Sequence, residues 1–211
     1  MKGAIFDLDG TLVDSMPVWA HIGEAYLLDQ GITPPQHLRK LIETKSLRES
    51  AAFFRTLGVQ ASEEQIVAGV VARVADLYER SIPLKPGAEA LVKRLHRAGV
   101  RMCVATASNR PQAEAVLRRP GLLPYFQGII TCGEVGSGKE SPAIYERALA
   151  LLNVPKQETL VFEDALHALR TAQAAGFRVV GVYDASAAAD EALIRREADA
   201  YVRCLADFQL P

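Results

Sequence analysis

The chain is poor in the features that mark several whole classes of protein. Its three cysteines, Cys103, Cys132 and Cys204, include no CxxC pair, and their number is odd. That argues against a thiolate metal site or a disulfide framework, and free thiols in a reducing compartment are expected instead. The four histidines, His21, His37, His96 and His167, show no metal-ligand spacing. No apolar run approaches the ~18 residues of a membrane span. The opening MKGAIFDLDG loses its apolar run at Asp7, too early for a secretory core. A cytoplasmic location is expected. Charge of one sign is also lacking: 24 Lys and Arg face 25 Asp and Glu, for a formal net charge of -1. Such a balance gives no field to draw nucleic acid or an anionic membrane as the main partner. Internal repeats and low-complexity tracts are absent, apart from a short alanine-rich stretch at Ala185–Ala189.

What is present is a globular composition, 49% hydrophobic over 211 residues, enough for one sizeable α/β core and a small accessory domain. Short β-like runs occur at Ala4–Phe6, Met102–Ala105, Gly128–Ile130, Leu160–Phe162 and Val179–Val182, with a weaker one at Tyr201-Val202. They are apolar throughout rather than alternating, as in parallel strands covered on both faces. Helical patterns at 87–98, 110–118, 142–152 and 164–175 fall between them. This alternation predicts an α/β fold with a doubly wound, mainly parallel sheet and a Rossmann-like core.

One segment breaks the rhythm. From Pro17 to about Arg80 only helical patterns occur, around Trp19–Gln30, Leu47–Leu57 and Glu63–Tyr78, before Ile82-Pro83-Leu84-Lys85-Pro86-Gly87 marks a hinge and restart. The expected organisation is a catalytic core of residues 1–16 and 81–211 with an all-helical cap, 17–80, inserted into it.

The ends of the expected strands carry the chemistry. The first runs into Asp7-Leu8-Asp9-Gly10-Thr11, two carboxylates that can share one side of the sheet's C-terminal edge, where open α/β proteins bind ligands. Like charges so close call for a cation or a shared proton. The second strand leads to Thr106-Ala107-Ser108-Asn109, hydroxyl and amide groups that can donate to a ligand or cap the helix that follows. The fourth stops at Glu163-Asp164, hard oxygen ligands of the kind Mg²⁺ takes. Between them, Lys139 can offset a surplus of carboxylates. Gly133–Lys139 also fits GxxxxGK, yet Glu140 stands where a nucleotide-binding loop needs Ser or Thr, which argues against an ATPase or kinase.

Asp7-Leu8-Asp9-Gly10-Thr11-Leu12-Val13-Asp14-Ser15, Thr106-Ala107-Ser108, Gly138-Lys139 and Glu163-Asp164 occur in the order typical of the haloacid dehalogenase-like hydrolase superfamily. The whole chain resembles its branch of β-phosphoglucomutases, phosphoglycolate phosphatases and sugar-phosphate phosphatases. The resemblance implies that Asp7 is the nucleophile and forms an aspartyl-phosphate. Asp9 would act as acid and then base, and its main-chain carbonyl would bind metal. Thr106 would donate to a phosphoryl oxygen and Lys139 would neutralise charge. Asp7, Asp9, Asp164 and Glu163 would together hold Mg²⁺. Dehalogenases of the superfamily lack the second aspartate and phosphonoacetaldehyde hydrolases replace it, so Asp9 favours phosphate monoester chemistry. Two departures stand after the last motif: Ala165 and Ala168, where relatives carry Ser or Thr and then Gly. They predict a changed surround to the metal ligands.

The cap is expected to select the substrate, through Trp19, Lys45 and Arg48, with Ser108 and Asn109 assisting from the core. Tyr26 is expected in the cap's own core. Ser46 and Glu49 also fit a helix capping box. By motif register, Trp19 and Leu47 occupy positions where β-phosphoglucomutases carry a histidine and an arginine, which disfavours a mutase. The expected function is a Mg²⁺-dependent phosphatase acting on a small phosphorylated metabolite, as a monomer with a dimer left open. A phosphosugar mutase is the alternative, and a catalytically silent binding protein a third, disfavoured by the retained acidic and basic residues.

Overall fold

The computed structural model describes residues 1–42, 45 and 47–210. The Ser46 half of the capping box therefore lies outside the described residues. The chain opens with β1 (Gly3–Phe6) and continues through α1 (Met16–Asp29), α2 (Leu38–Ile42), α3 (Leu47–Thr56) and α4 (Glu63–Arg80). It then alternates: α5 (Ala88–Arg97), β2 (Arg101–Thr106), α6 (Arg110–Arg118), β3 (Ile129–Thr131), α7 (Cys132–Val135), α8 (Ala143–Leu152), β4 (Thr159–Glu163), α9 (Leu166–Ala174), β5 (Arg178–Val182), α10 (Glu191–Glu197) and β6 (Ala200–Val202).

The strands form one parallel sheet in the order β3-β2-β1-β4-β5-β6. Every residue of β1 and β4 is buried, which is why these strands read as unbroken apolar runs. Ile5, Cys103, Val161 and Val179 pack with Ile144, Tyr145, Leu152, Leu169 and Ile194 into a buried cluster. Successive side chains point to opposite faces, so Phe6 and Phe162 form a second apolar group, their rings stacked at 4.4 Å. Because β1 lies between β2 and β4 in register, with Phe6 beside Val104 and Phe162, the loops after these three strands emerge together. That is the sheet's switch point, where open α/β folds bind ligands.

The chain divides into two compact units: Met16–Ser81, and Met1–Ser15 together with the chain from Ile82 onward. In the helical unit Ile22, Tyr26, Leu27, Phe54, Ile66, Val70, Val74 and Tyr78 are buried, and Tyr26 stacks on Phe54 with ring centroids 6.1 Å apart. Ser62 caps α4 in a full capping box with Gln65. Among the described residues no helix is long and apolar enough to cross a membrane.

In the α/β unit, the segments at either end of the insertion are tied to one another. Val13 and Leu84 form an antiparallel bridge, Asp14 donates its N–H to Pro83, and Lys85 donates its own to Leu12, each at 2.9 Å. Gly87 then turns into α5 at φ 79°, where an added Cβ would lie 2.3 Å from the main-chain nitrogen of Ala206. The return segment is also anchored by charge. Lys85 Nζ lies 2.7 Å from Asp184 Oδ2, both side chains nearly buried. Burial of Asp184 opposes its charge, but hydrogen bonds from Lys85 and Ser186 prevail and hold its carboxyl below the ordinary value.

A carboxyl held below its ordinary value stabilises the fold fully above its unfolded pKa, about 3.9. That contribution is lost as the pH falls through the lower folded value. Asp184→Asn should therefore cost about 3 kcal/mol in urea unfolding at pH 7, with the gap to wild type narrowing as the pH drops below about 4. A gap that ignores pH would show that the ion pair contributes nothing.

Candidate active site

The site begins where β1 ends. The ladder runs one residue past the strand, with Asp7 N–H donating to the Phe162 carbonyl at 2.9 Å, so the Asp7 side chain is fixed by sheet geometry. Gly10 follows at φ 86°, a conformation that L side chains rarely adopt, and a Cβ there would lie 2.3 Å from Asp164 Oδ2. Glycine thus permits the turn after β1 to close against the end of β4. Thr11, fully buried, donates its hydroxyl to Asp164 Oδ1 at 2.9 Å.

Lys139, in the loop between α7 and α8, enters from the third direction. Its ammonium donates to Asp7 Oδ1 and to Glu163 Oε1. All three groups are buried, as is Asp164. Asp7, Glu163 and Asp164 each offer an oxygen, and these atoms lie within 4.8 Å of one another. Three carboxylates against one ammonium leave two negative charges unbalanced when all are ionised.

The acid–base properties follow from burial and from that count. Burial pushes the Asp7 carboxyl well above its ordinary value; Lys139 opposes this, while Glu163, Asp164 and Asp9 add to it. Burial, then the Glu163 charge, pushes Asp164 up to about 7, against Lys139 and the Thr11 hydrogen bond. Burial also disfavours the Lys139 charge, but Asp7 and Glu163 outweigh it and hold the ammonium above its usual range.

The charge deficit, the hard oxygen donors and Glu163 Oε2, which is buried with no hydrogen-bond partner among the described residues, all fit one divalent cation. The acidic cluster is thus compatible with divalent-metal coordination. At the start of α9, Ala165 gives no side-chain cap, so the hydrogen bond that a Ser or Thr would supply beside Asp164 is missing.

Asp9 is held differently from Asp7. Ser15 donates to its Oδ1 at 2.7 Å, Ser108 to its Oδ2 at 2.7 Å, and Thr106 to Oδ2 at 3.4 Å. Thr106 also accepts the Ser108 N–H at 2.9 Å. Ser108 therefore contacts Asp9 directly, while Asn109 caps α6, its side chain accepting from Gln112 N. The glycine-rich run makes its own contacts: Thr131 and Glu134 form a capping box at α7, and Glu140 accepts from the Gly138 N–H.

The remaining candidates belong to the helical unit. Trp19 donates its indole N–H to the Tyr78 hydroxyl at 2.9 Å. Lys45 is exposed. Arg48 is exposed and ion-paired to Glu63 and Glu64 at 3.6 and 3.3 Å. Three contributors escape a reading by motif. Thr11 and Ser15 stand inside the first motif without an assigned role, and Tyr145 donates to Glu163 Oε1 at 2.8 Å. A tyrosine among apolar helix positions signals a buried hydroxyl that needs a partner, though not which partner.

Comparison with known proteins gives the same picture of the core. Residues 1–176 match the family described as haloacid dehalogenase-like hydrolase. Hexitol phosphatase A of Escherichia coli (strain K12) is 31% identical over 194 residues, spanning 86% of this chain and 82% of that protein. Validoxylamine A 7'-phosphate phosphatase of Streptomyces hygroscopicus subsp. limoneus is 29% identical over 217 residues, spanning 100% and 97%. The crystal structure of CbbY from Rhodobacter sphaeroides in complex with phosphate superimposes with a TM-score of 0.78 at 27% identity, covering 98% of this chain and 96% of that one.

The raised Asp164 carboxyl has a consequence for stability. Below about pH 4 the carboxyl is protonated folded and unfolded alike, and its burial costs little. As the pH rises through about 7 the folded form must bear a charge it resists. In chelator, Asp164→Asn should thus be more stable than wild type at pH 8, by on the order of 2–4 kcal/mol, with the advantage fading toward pH 4. An Asn variant less stable at pH 8 would show that Asp164 is not a strained charge.

Proposed function

Because the chain belongs to the haloacid dehalogenase-like hydrolases, we propose that it is a Mg²⁺-dependent cytoplasmic phosphatase that hydrolyses a small phosphate monoester through a phosphoryl group carried on Asp7. The observation that carries this proposal is the buried Lys139 ammonium shared by Asp7 and Glu163, with Asp164 alongside. Asp7, Glu163, Asp164 and the main-chain carbonyl of Asp9 would hold the cation. Bound there, Mg²⁺ would supply positive charge to the phosphoryl oxygens, which a loose phosphoryl-transfer transition state requires.

In the proposed reaction a carboxylate oxygen of Asp7 attacks phosphorus, and the bond from phosphorus to the substrate oxygen breaks. Asp9 gives that oxygen its proton. Asp9 then takes a proton from water, whose oxygen attacks phosphorus, breaks its link to Asp7 and releases phosphate. Asp9 serves in this way by exchanging its Ser15 and Ser108 hydroxyls for substrate and then water. Lys139 favours the ionised form of Asp7 against its burial, and would offset charge on the transferring group. Thr106 donates to a phosphoryl oxygen.

Two of the relatives are phosphatases by name, which supports hydrolysis over mutation. A mutase must also grip a second phosphate, and Arg48, the guanidinium next to the expected position, is engaged by Glu63 and Glu64. A silent binding protein has no need of the shared lysine and the full acidic set.

With a generic aryl phosphate, Mg²⁺ should support phosphate release and EDTA should abolish it. Asp7→Asn should lose at least about 10³-fold in kcat while keeping its unfolding transition. Activity surviving in chelator would remove the metal from the proposal, and an active Asn variant would remove Asp7. Incubation with β-glucose 1-phosphate, Mg²⁺ and a trace of glucose 1,6-bisphosphate should yield free phosphate in excess of glucose 6-phosphate. The reverse excess would make the enzyme a mutase.

A further inference from the structure

Tyr145 lies outside every motif that marks the site. It sits on α8, fully buried, with its ring packed 6.2 Å from that of Phe177. Phenylalanine would fill the same space, so what the tyrosine adds is its hydroxyl. That hydroxyl donates to Glu163 Oε1 at 2.8 Å, with the Ala168 carbonyl 3.4 Å away. Lys139 donates to the same Oε1. Glu163 Oε2 is left buried and without a partner among the described residues. One oxygen of the carboxylate is thus doubly held and the other is free.

We propose that Tyr145 is a positioning residue for the cation: with Lys139 it fixes Glu163 by one oxygen and so reserves the other for the metal ion or one of its waters. The proposal rests on the Mg²⁺-dependent activity above. Tyr145 touches neither substrate nor metal in this role. Without the phenol, Glu163 keeps a single donor, and rotation of its carboxylate is no longer prevented from exchanging the two oxygens. Partners of this kind, behind the ligands themselves, commonly govern metal affinity by 10–100-fold.

The test measures metal binding directly. Chelator-treated wild type, Asp164→Asn and Tyr145→Phe are titrated with Mn²⁺, and free Mn²⁺ is followed by electron paramagnetic resonance. Wild type should bind, Asp164→Asn should not, and Tyr145→Phe should bind with a Kd about tenfold higher. In turnover, Tyr145→Phe should need correspondingly more Mg²⁺ for half-maximal rate, while its kcat at saturating Mg²⁺ and its KM for substrate stay close to wild type. A loosened fold would not produce that split. Wild-type Mn²⁺ affinity in a folded Phe variant, with Asp164→Asn still unable to bind, would overturn the role of Tyr145 alone. Failure of wild type to bind would overturn the metal assignment and this inference with it. If Tyr145→Phe shows no cooperative urea transition, Tyr145→Met is judged by the same criterion, since methionine fills core space without a donor. Unfolding of both variants would assign Tyr145 to packing and overturn the proposal.

Discussion

Everything about the site depends on one ammonium group placed among three buried carboxylates. Lys139 reaches Asp7 and Glu163 at once, and without it three like charges would be confined where water cannot screen them. It cannot balance them alone. Removing one partner of a buried ion pair is costly, and such pairs seldom stabilise a fold outright. The arrangement makes sense as a place kept short of positive charge, which a divalent cation would supply. Burial first, and then the neighbouring carboxylates, raise the carboxyls of Asp7 and Asp164.

The sheet explains why these groups meet at all. Asp7, Thr106 and Glu163 lie more than fifty residues apart in sequence, yet β1 sits between β2 and β4 with matched register. Parallel strands deliver their C-terminal ends to the same edge. Gly10 then lets the turn after β1 approach Asp164 more closely than any side chain would allow. The long helical insertion leaves and re-enters the core beside this edge, where residues 12–14 pair with 83–85. Lys85 and Asp184 hold the return segment at its base.

Much of this was legible in the sequence because burial and backbone geometry leave strong traces there. The central strands are covered on both faces and appear as plain apolar runs, and the aspartates that end them stand out against that background. Short elements were harder. The helix Cys132–Val135 has only four residues, too few to show a period, and its one trace is the Thr131 and Glu134 capping pair. Leu38–Ile42 and Glu191–Glu197 failed to register for the same reason. Within the site, acidic and basic groups announce themselves by type, and the hydroxyls of Thr106 and Ser108 by their place at a strand end, whereas other hydroxyls do not. Ser15 and Thr11 hold the carboxylates of Asp9 and Asp164, and Tyr145 holds Glu163 from a helix otherwise apolar at its buried positions. Such partners depend on long-range packing, which one-dimensional pattern does not encode. Side chains of the helical unit raise a related difficulty: Trp19 and Arg48 look available in sequence, but each already has a partner within that unit.

The central claim is that phosphorus is carried on Asp7, and a chemical trap tests it most directly. Enzyme quenched during turnover of an aryl phosphate is treated with borohydride, which reduces an acyl phosphate to the alcohol, and digested for mass spectrometry. The account predicts homoserine at position 7, dependent on both substrate and Mg²⁺. Full phosphate release with position 7 unmodified under conditions that trap acyl phosphates, or with the reduced residue elsewhere in the chain, would contradict it.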